Sequence, residues 1–211
     1  MKKVVYTIGY AHHTQESFLK LLKQYQIQIV IDVRTMAYSA YHPQFNKEPL
    51  KYFLNSHHIL YRQMEKAFGI IRPNSNLINE DGYLDFKKIA ELEAFKEGIE
   101  TIKRGIEQGY KIAFMCAEKA PSECHRSTLV GRALFEAGYD VEHILSDGQL
   151  ESHKQLEDTL VDLYCPQSHQ IDLFGETQNK EIQVDIAYRK RSNQIASVNG
   201  KRVLKDAYDG K

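Results

Sequence analysis

"VVYTIGYAHHTQESFLKLLKQYQIQIVIDV", residues 4–33, decides the fold. Its first run, Val4-Val5-Tyr6-Thr7-Ile8, is short, β-branched and stopped by Gly9, the pattern of a buried strand entering a turn. Thr14 is placed to cap a helix. Phe18, Leu21, Leu22 and Tyr25 then recur at helical spacing and give one apolar face. The last run, Ile27 to Val33, is nearly continuous in β-branched residues, as in a strand covered on both sides. Strand, helix and strand in that order make a βαβ unit, with a right-handed crossover and parallel strands.

The alternation continues outward from this unit. After a polar, proline-containing stretch from Tyr38 to Pro49, read as loop, "LKYFLNSHHILYRQM" predicts a short helix and a strand around Ile59 to Tyr61. Gly, Pro, Asn and Asp cluster in "AFGIIRPNSNLINEDGYLD", which predicts a long loop. Phe95, Ile99, Ile102 and Ile106 mark a helix closed by Gly109, and Lys111 to Met115 the next strand. Ser122 to Ala137 reads as a single helix with Leu129, Val130, Ala133, Leu134 and Ala137 inward, and Val141 to Leu145 as another strand. The fold class is therefore α/β, with an open, mostly parallel sheet of about five strands and helices on both faces, occupying residues 1–163. Beyond, the periodicity fades, and residues 164–211 read as a partly extended C-terminal tail packed on the domain or extending from it. There are no internal repeats.

Composition narrows the function classes. A chain of 211 residues with a 42% hydrophobic fraction can bury one proper core. Lys plus Arg and Asp plus Glu each number 28, so no overall field steers the molecule to nucleic acid or to an anionic membrane. No stretch approaches the roughly 20 apolar residues of a membrane span, and "MKKVVYTIGY" lacks a signal-peptide core, so a cytoplasmic protein with no membrane partner is expected. With three cysteines, Cys116, Cys124 and Cys165, a disulfide scaffold is not expected; thiols are.

Two of those thiols fall in "MCAEKAPSECHRS", residues 115–127. The preceding strand delivers Cys116 to the carboxyl edge of the sheet, where ligands of such folds gather. Cys124, His125 and Arg126 are expected in the first turn of the following helix, whose free N–H groups and dipole favour a thiolate or a bound anion. The layout is similar to the active loops of rhodaneses and cysteine phosphatases, although nine residues separate Cys116 from Arg126, too many for their tight cradle. Three other readings stand beside the thiolate: buried core cysteines, a Cys116–Cys124 redox pair, and a metal site on Cys116, Cys124 and His125. Against metal, no standard spacing is present, neighbouring Cys124 and His125 diverge on a helix, and a fourth ligand is not evident. No metal or other cofactor is assigned.

These segments, together with "YTIGYAHHTQESFLKLL", "VIDVRTMAYSAYHPQFN", "ILYRQMEKAFG" and "VEHIL", resemble the domain of unknown function 488 family over about residues 4 to 145; the tail's "IDLF" and "AYRKRSNQIA" are similar to its longer members. The resemblance implies an α/β sandwich and leaves the biochemistry open. One departure stands out: the family's first loop usually reads Thr-Ile-Gly-His-Ser, and Tyr10 replaces the histidine here. The shared positions fall at one sheet edge: Gly9 and Tyr10, Asp32 and Arg34, Cys116 and Glu118, and Cys124 to Arg126. "IDVR" also resembles a rhodanese motif of chiefly structural role, so Asp32 is expected in a site-shaping ion pair with Arg34 or Arg126 rather than as a general base. Glu118 is expected to orient His125, to carry a proton or to be a solvated loop carboxylate. Asn46, in the loop over the same edge, either binds substrate or caps the next helix.

The leading functional reading is a cysteine-dependent hydrolase or transferase with an anion- or phosphate-accepting pocket. Cys116 or Cys124 serves as thiolate, Glu118 or His125 as proton carrier, and Arg126 and Arg34 as anion clamps, with Asp32, Gly9, Tyr10 and Asn46 shaping the site. A second reading is a non-catalytic module of DNA metabolism. "QIDLF", Gln170 to Phe174, resembles the peptide that docks on the sliding clamp through residues such as Gln170, Leu173 and Phe174, and Asn179 to Lys211 carries eight Lys or Arg against four Asp or Glu. A Cys/His metal-binding protein is the third.

Overall fold

A computed structural model describes residues 3–70, 75–166 and 180–198. Strand β1 (Val4–Gly9) leads to helix α1 (Gln15–Gln24), strand β2 (Ile29–Asp32), helix α2 (Lys47–Ser56), strand β3 (Leu60–Gln63) and a short helix α3 (Glu65–Phe68). Helices α4 (Phe86–Ala90) and α5 (Glu93–Glu107) precede strand β4 (Ile112–Cys116). A 3-10 turn (Pro121–Glu123), a π-helical turn (Arg126–Gly131) and helix α6 (Arg132–Glu136) come next, then strands β5 (Asp140–Ile144) and β6 (Leu150–Ser152) and helices α7 (His153–Tyr164) and α8 (Lys180–Val198).

The sheet runs β3-β2-β4-β1-β5-β6. Its first five members are parallel, and β6 pairs antiparallel with β5. The expected βαβ unit is present, with α1 opened by a reciprocal cap between Thr14 and Ser17. Side chains alternate across β4: Ala113 and Met115 join Phe18, Leu22, Phe45 and Leu54 on the face under α1 and α2. Ile112, Phe114 and Cys116 join Phe68, Phe95, Ile102 and Val130 on the opposite face.

Three departures from the sequence reading have physical causes. The sheet has six strands because Leu150–Ser152, too short and polar to register as a strand, pairs back along β5. Residues 180–198, expected to be partly extended, form a helix. Ala187 and Tyr188 of α8 pack on Leu156, Leu160 and Val161 of α7, while Asp185 reaches Lys87 and Arg132, so tertiary contacts rather than a clean apolar stripe hold it. Ser122 to Ala137 is not one helix: Cys124 is extended (φ −134°, ψ 139°) and stands ahead of the π-helical turn. No helix among the described residues is long and apolar enough to cross a membrane.

Candidate functional site

The end of β4 is held between its neighbours. Tyr10 N–H donates to the Cys116 carbonyl (3.1 Å) and Ala11 N–H to that of Ala117 (3.0 Å), while Val33 N–H donates to Met115 on the other side (3.1 Å). The chain then turns back over β1, where Gly9 lies opposite Cys116. A side chain at Gly9 would overlap the carbonyl oxygen of Glu118 and bring its Cβ 3.2 Å from Arg126 Nη2. The same carbonyl accepts from Arg126 Nη1 (2.7 Å), and that of Lys119 accepts from Nη2 (3.2 Å). Arg126, fully buried, thus ties down the 117–120 loop. Gly9→Ala should lower stability by about 2 kcal/mol through overpacking, seen as a melting temperature lower by about 5 °C; unchanged melting would show that the loop yields.

This anchoring gathers four reactive side chains on the α5 side of the sheet. One sulfur or nitrogen atom from each of Cys116, Cys124 and His125 lies within 4.8 Å of the others. Cys124 Sγ is 2.8 Å from Glu118 Oε2 and 3.9 Å from His125 Nδ1. His125 Nε2 lies 3.0 Å from the Val33 carbonyl; a carbonyl only accepts, so Nε2 carries a proton and the ring turns Nδ1 towards the sulfur. The extended backbone at Cys124 is what lets adjacent residues converge, a conformation that a continuous helix would have forbidden. Glu118 bonds to Cys124, and the His125 ring is held by Val33.

Electrostatics separates the two thiols. Burial raises the Cys116 pKa, and Cys124 and Glu118 raise it further. Burial alone would also raise Cys124, but hydrogen bonding from Cys116 and the charges of Arg126 and His125 prevail and hold it well below the usual thiol range. The Arg126 N–H at 3.4 Å points the same way. Glu118 is pushed up to about 7, first by burial and then by Cys124. His125 is raised: burial opposes, but Cys124 and the Val33 carbonyl outweigh it.

The other expected residues lie on the opposite face. Asp32 pairs with Arg34, not with Arg126, at 2.6 Å between Oδ2 and Nη2. Arg34 Nη2 also donates to the Phe45 carbonyl (2.9 Å), and Tyr61 Oη to Asp32 (2.6 Å). Tyr10 stacks on Phe45 at 4.5 Å, with Arg34 5.0 Å over its ring. Asn46 occupies the cap position of α2, but its side chain makes no capping bond; Oδ1 instead accepts from Ser39 N–H (2.6 Å) and fixes the loop.

The sequence reading missed Tyr61, which looks like ordinary strand core, and a buried chain reaching α8. Thr7 Oγ1 lies 2.8 Å from His143 Nδ1, His143 Nε2 3.1 Å from His153 Nδ1, and His153 Nε2 2.9 Å from the Tyr188 hydroxyl. A cleft of about 820 Å³ opens between α4, α6 and α8, but none of Cys116, Glu118, Cys124 and His125 lines it. Of the charges that line it, Arg132 pairs with Asp185 and Glu136, and Lys87 with Asp185, so it reads as a seam beneath α8. Within the basic run, Lys190 and Arg191 contact Tyr164. Gln170, Leu173 and Phe174 lie outside the described residues.

Comparison with known proteins gives no match among curated proteins and none among solved structures. A family model does match, over residues 14–133, a span that contains the whole Cys116 to Arg126 motif and the Asp32–Arg34 pair. The chain therefore belongs to the family described as Domain of unknown function DUF488.

Proposed function

We propose that this chain is a metal-binding protein whose centre is Cys116, Cys124 and His125, taking a thiophilic divalent cation such as Zn²⁺. The observation that carries the reading is convergence of three buried ligand atoms within 4.8 Å. Ligand atoms around tetrahedral zinc stand about 3.5–3.8 Å apart, and the Cys124 Sγ to His125 Nδ1 distance is 3.9 Å. The Val33 carbonyl fixes the His125 tautomer and orientation as outer partners of metal-bound histidines do. Metal binding would displace the proton between Cys124 and Glu118. Arg126 and Arg34 are less suited to the anion-clamp role, being engaged by Glu118 and Lys119 carbonyls and by Asp32.

The test is metal analysis of the purified chain, followed by Co²⁺ titration monitored by thiolate-to-cobalt absorption. About one equivalent should bind with a tetrahedral spectrum. Cys124→Ser should weaken binding by more than about 100-fold, beyond the loss from an outer-shell change. Cys165→Ser, whose sulfur instead lies 3.7 Å from the Gln183 carbonyl, should leave it unchanged. A wild-type chain with no thiolate–cobalt band overturns the reading.

The lowered Cys124 thiol beside Glu118 supports a second reading, a cysteine-dependent hydrolase or transferase using Cys124 as nucleophile and Glu118 as proton carrier. Iodoacetamide labelling of the metal-free chain separates the two. One cysteine alkylating with an apparent pKa far below about 8.5, and no metal bound, favours the nucleophile.

A further inference from the structure

Three of the four side chains at the centre are buried, and the fourth is not. Cys116, Cys124 and His125 are 2%, 0% and 4% exposed. Glu118 is only half-buried and Lys119 beside it is exposed. Of the four, Glu118 is therefore the one with part of its surface exposed, while its Oε2 lies 2.8 Å from Cys124 Sγ. We infer that Glu118 is an exchangeable fourth ligand, closing the solvent side of a metal held by Cys116, Cys124 and His125, and that its departure opens a coordination position to a small anionic oxygen or nitrogen donor. This inference rests on the metal-centre reading above.

The four donors differ in strength and in how firmly they are held. Two thiolates and an imidazole are the strong donors for a borderline-soft cation, and a carboxylate is the most readily displaced. Cys116 is fixed by strand β4, Cys124 by an extended backbone with its carbonyl bonded to Ser127, and His125 by Val33. Glu118 hangs from a loop. Its backbone carbonyl is clamped by Arg126, so the side chain can turn without moving the main chain. A set of two cysteines and one histidine with a replaceable fourth position is the pattern of catalytic zinc, whereas structural sites are closed by four firm ligands.

Charge favours an anionic newcomer. Two thiolates and one carboxylate around a divalent cation leave one negative charge, and Arg126, whose charge bears on Cys124, offsets it. An incoming anion keeps that balance when it replaces the carboxylate. Arg126 also holds one buried nitrogen, Nε, without a hydrogen-bond partner among the described residues. The step is ligand exchange only: the carboxylate lone pair leaves the metal, the lone pair of the incoming donor takes its place, and no electron is transferred.

The full chain loaded with Co²⁺, with azide as the anionic probe, tests this. Glu118→Ala should keep a full equivalent of Co²⁺ and its thiolate band while the d–d bands shift. Its azide dissociation constant should fall about ten-fold or more below that of wild type, where azide must compete with the carboxylate. Glu118→Gln, close to isosteric, should fall between the two, and an unchanged melting temperature in both shows that neither has misfolded. Loss of Co²⁺ from Glu118→Ala with its fold intact would make Glu118 a permanent structural ligand and overturn the inference. So would d–d bands identical to wild type, because Glu118 would then never touch the metal. Either failure leaves the wild-type thiolate–cobalt band in place, and so differs from failure of the metal-centre reading itself.

Discussion

Asp32→Asn is expected to lower the free energy of unfolding by about 3–5 kcal/mol, as removal of one partner from a buried ion pair does. Asp32 and Arg34 are 0% and 5% exposed, and Arg34 Nε spans both carboxylate oxygens at 2.9 and 3.1 Å while Nη2 holds one at 2.6 Å. The Arg34 guanidinium cannot shed its proton. With Asn at position 32 it remains a buried cation facing the Phe45 carbonyl and the Tyr10 ring. The Tyr61 hydroxyl loses its charged acceptor as well. Urea denaturation measures the loss, and a fall below about 1 kcal/mol would mean that water reaches the pair and screens it. The double variant Asp32→Asn/Arg34→Met should be less destabilised than the sum of its singles, because it strands no charge.

The second large effect is acid lability through the buried histidines. Tyr188 donates to Glu157 (3.3 Å), so the bonds can all run one way: Thr7 to His143, His143 to His153, and His153 to Tyr188. In that arrangement both imidazoles are neutral, and the two rings cannot both take a second proton, for His143 Nε2–H would then face His153 Nδ1–H. The surroundings agree: burial pushes His153 down to about 3, helped by Arg132, and burial followed by His153 and Arg126 holds His143 well below its usual value. Since these values are depressed on folding, the unfolded chain takes up more protons below its own pKa of about 6.5, and stability falls as pH falls. The loss is about 1.4 kcal/mol per pH unit for His153, or about 2 kcal/mol by pH 5, and His143 adds to it in the same direction. Glu118, raised to about 7, acts in the opposite sense over the same range and masks part of it. His153→Gln isolates the effect. It should cost about 1–2 kcal/mol near pH 8 from imperfect hydrogen bonding, and its deficit should shrink by about 2 kcal/mol on going to pH 5. Stability curves that stay parallel would show that His153 is not held neutral.

The layered α/β fold was legible because burial on both faces leaves β-branched runs such as Val4–Ile8 and Ile27–Val33, which periodicity alone detects. Leu150–Ser152 was not, since three residues of intermediate exposure or more carry no pattern. Helix α8 was hidden for another reason: its buried positions include Gln183, Tyr188 and Ser192, so polar contacts substitute for the apolar stripe. At the centre, residue types located the correct stretch, but the geometry turned on backbone. Leu129, Val130 and Leu134 kept helical spacing and suggested one helix from Ser122, while Pro121 and the extended Cys124 delay its start. That delay turned an apparent argument against metal into the arrangement that permits it. The Val33 carbonyl, a main-chain group, is invisible to any reading of side chains.

The π-helical turn from Arg126 to Gly131 lets one segment serve two registers. Its N-terminal end aims His125 and Arg126 at the centre, while downstream Leu134 fills the core. Removing one residue from that turn would tighten it towards an α-helix and rotate everything beyond by about 100°. The segment would then have to abandon either the imidazole's seat or the leucine's. The extra residue in the coil is thus the phase shifter that reconciles a reactive end with a packed one, and a length change there would be felt at both.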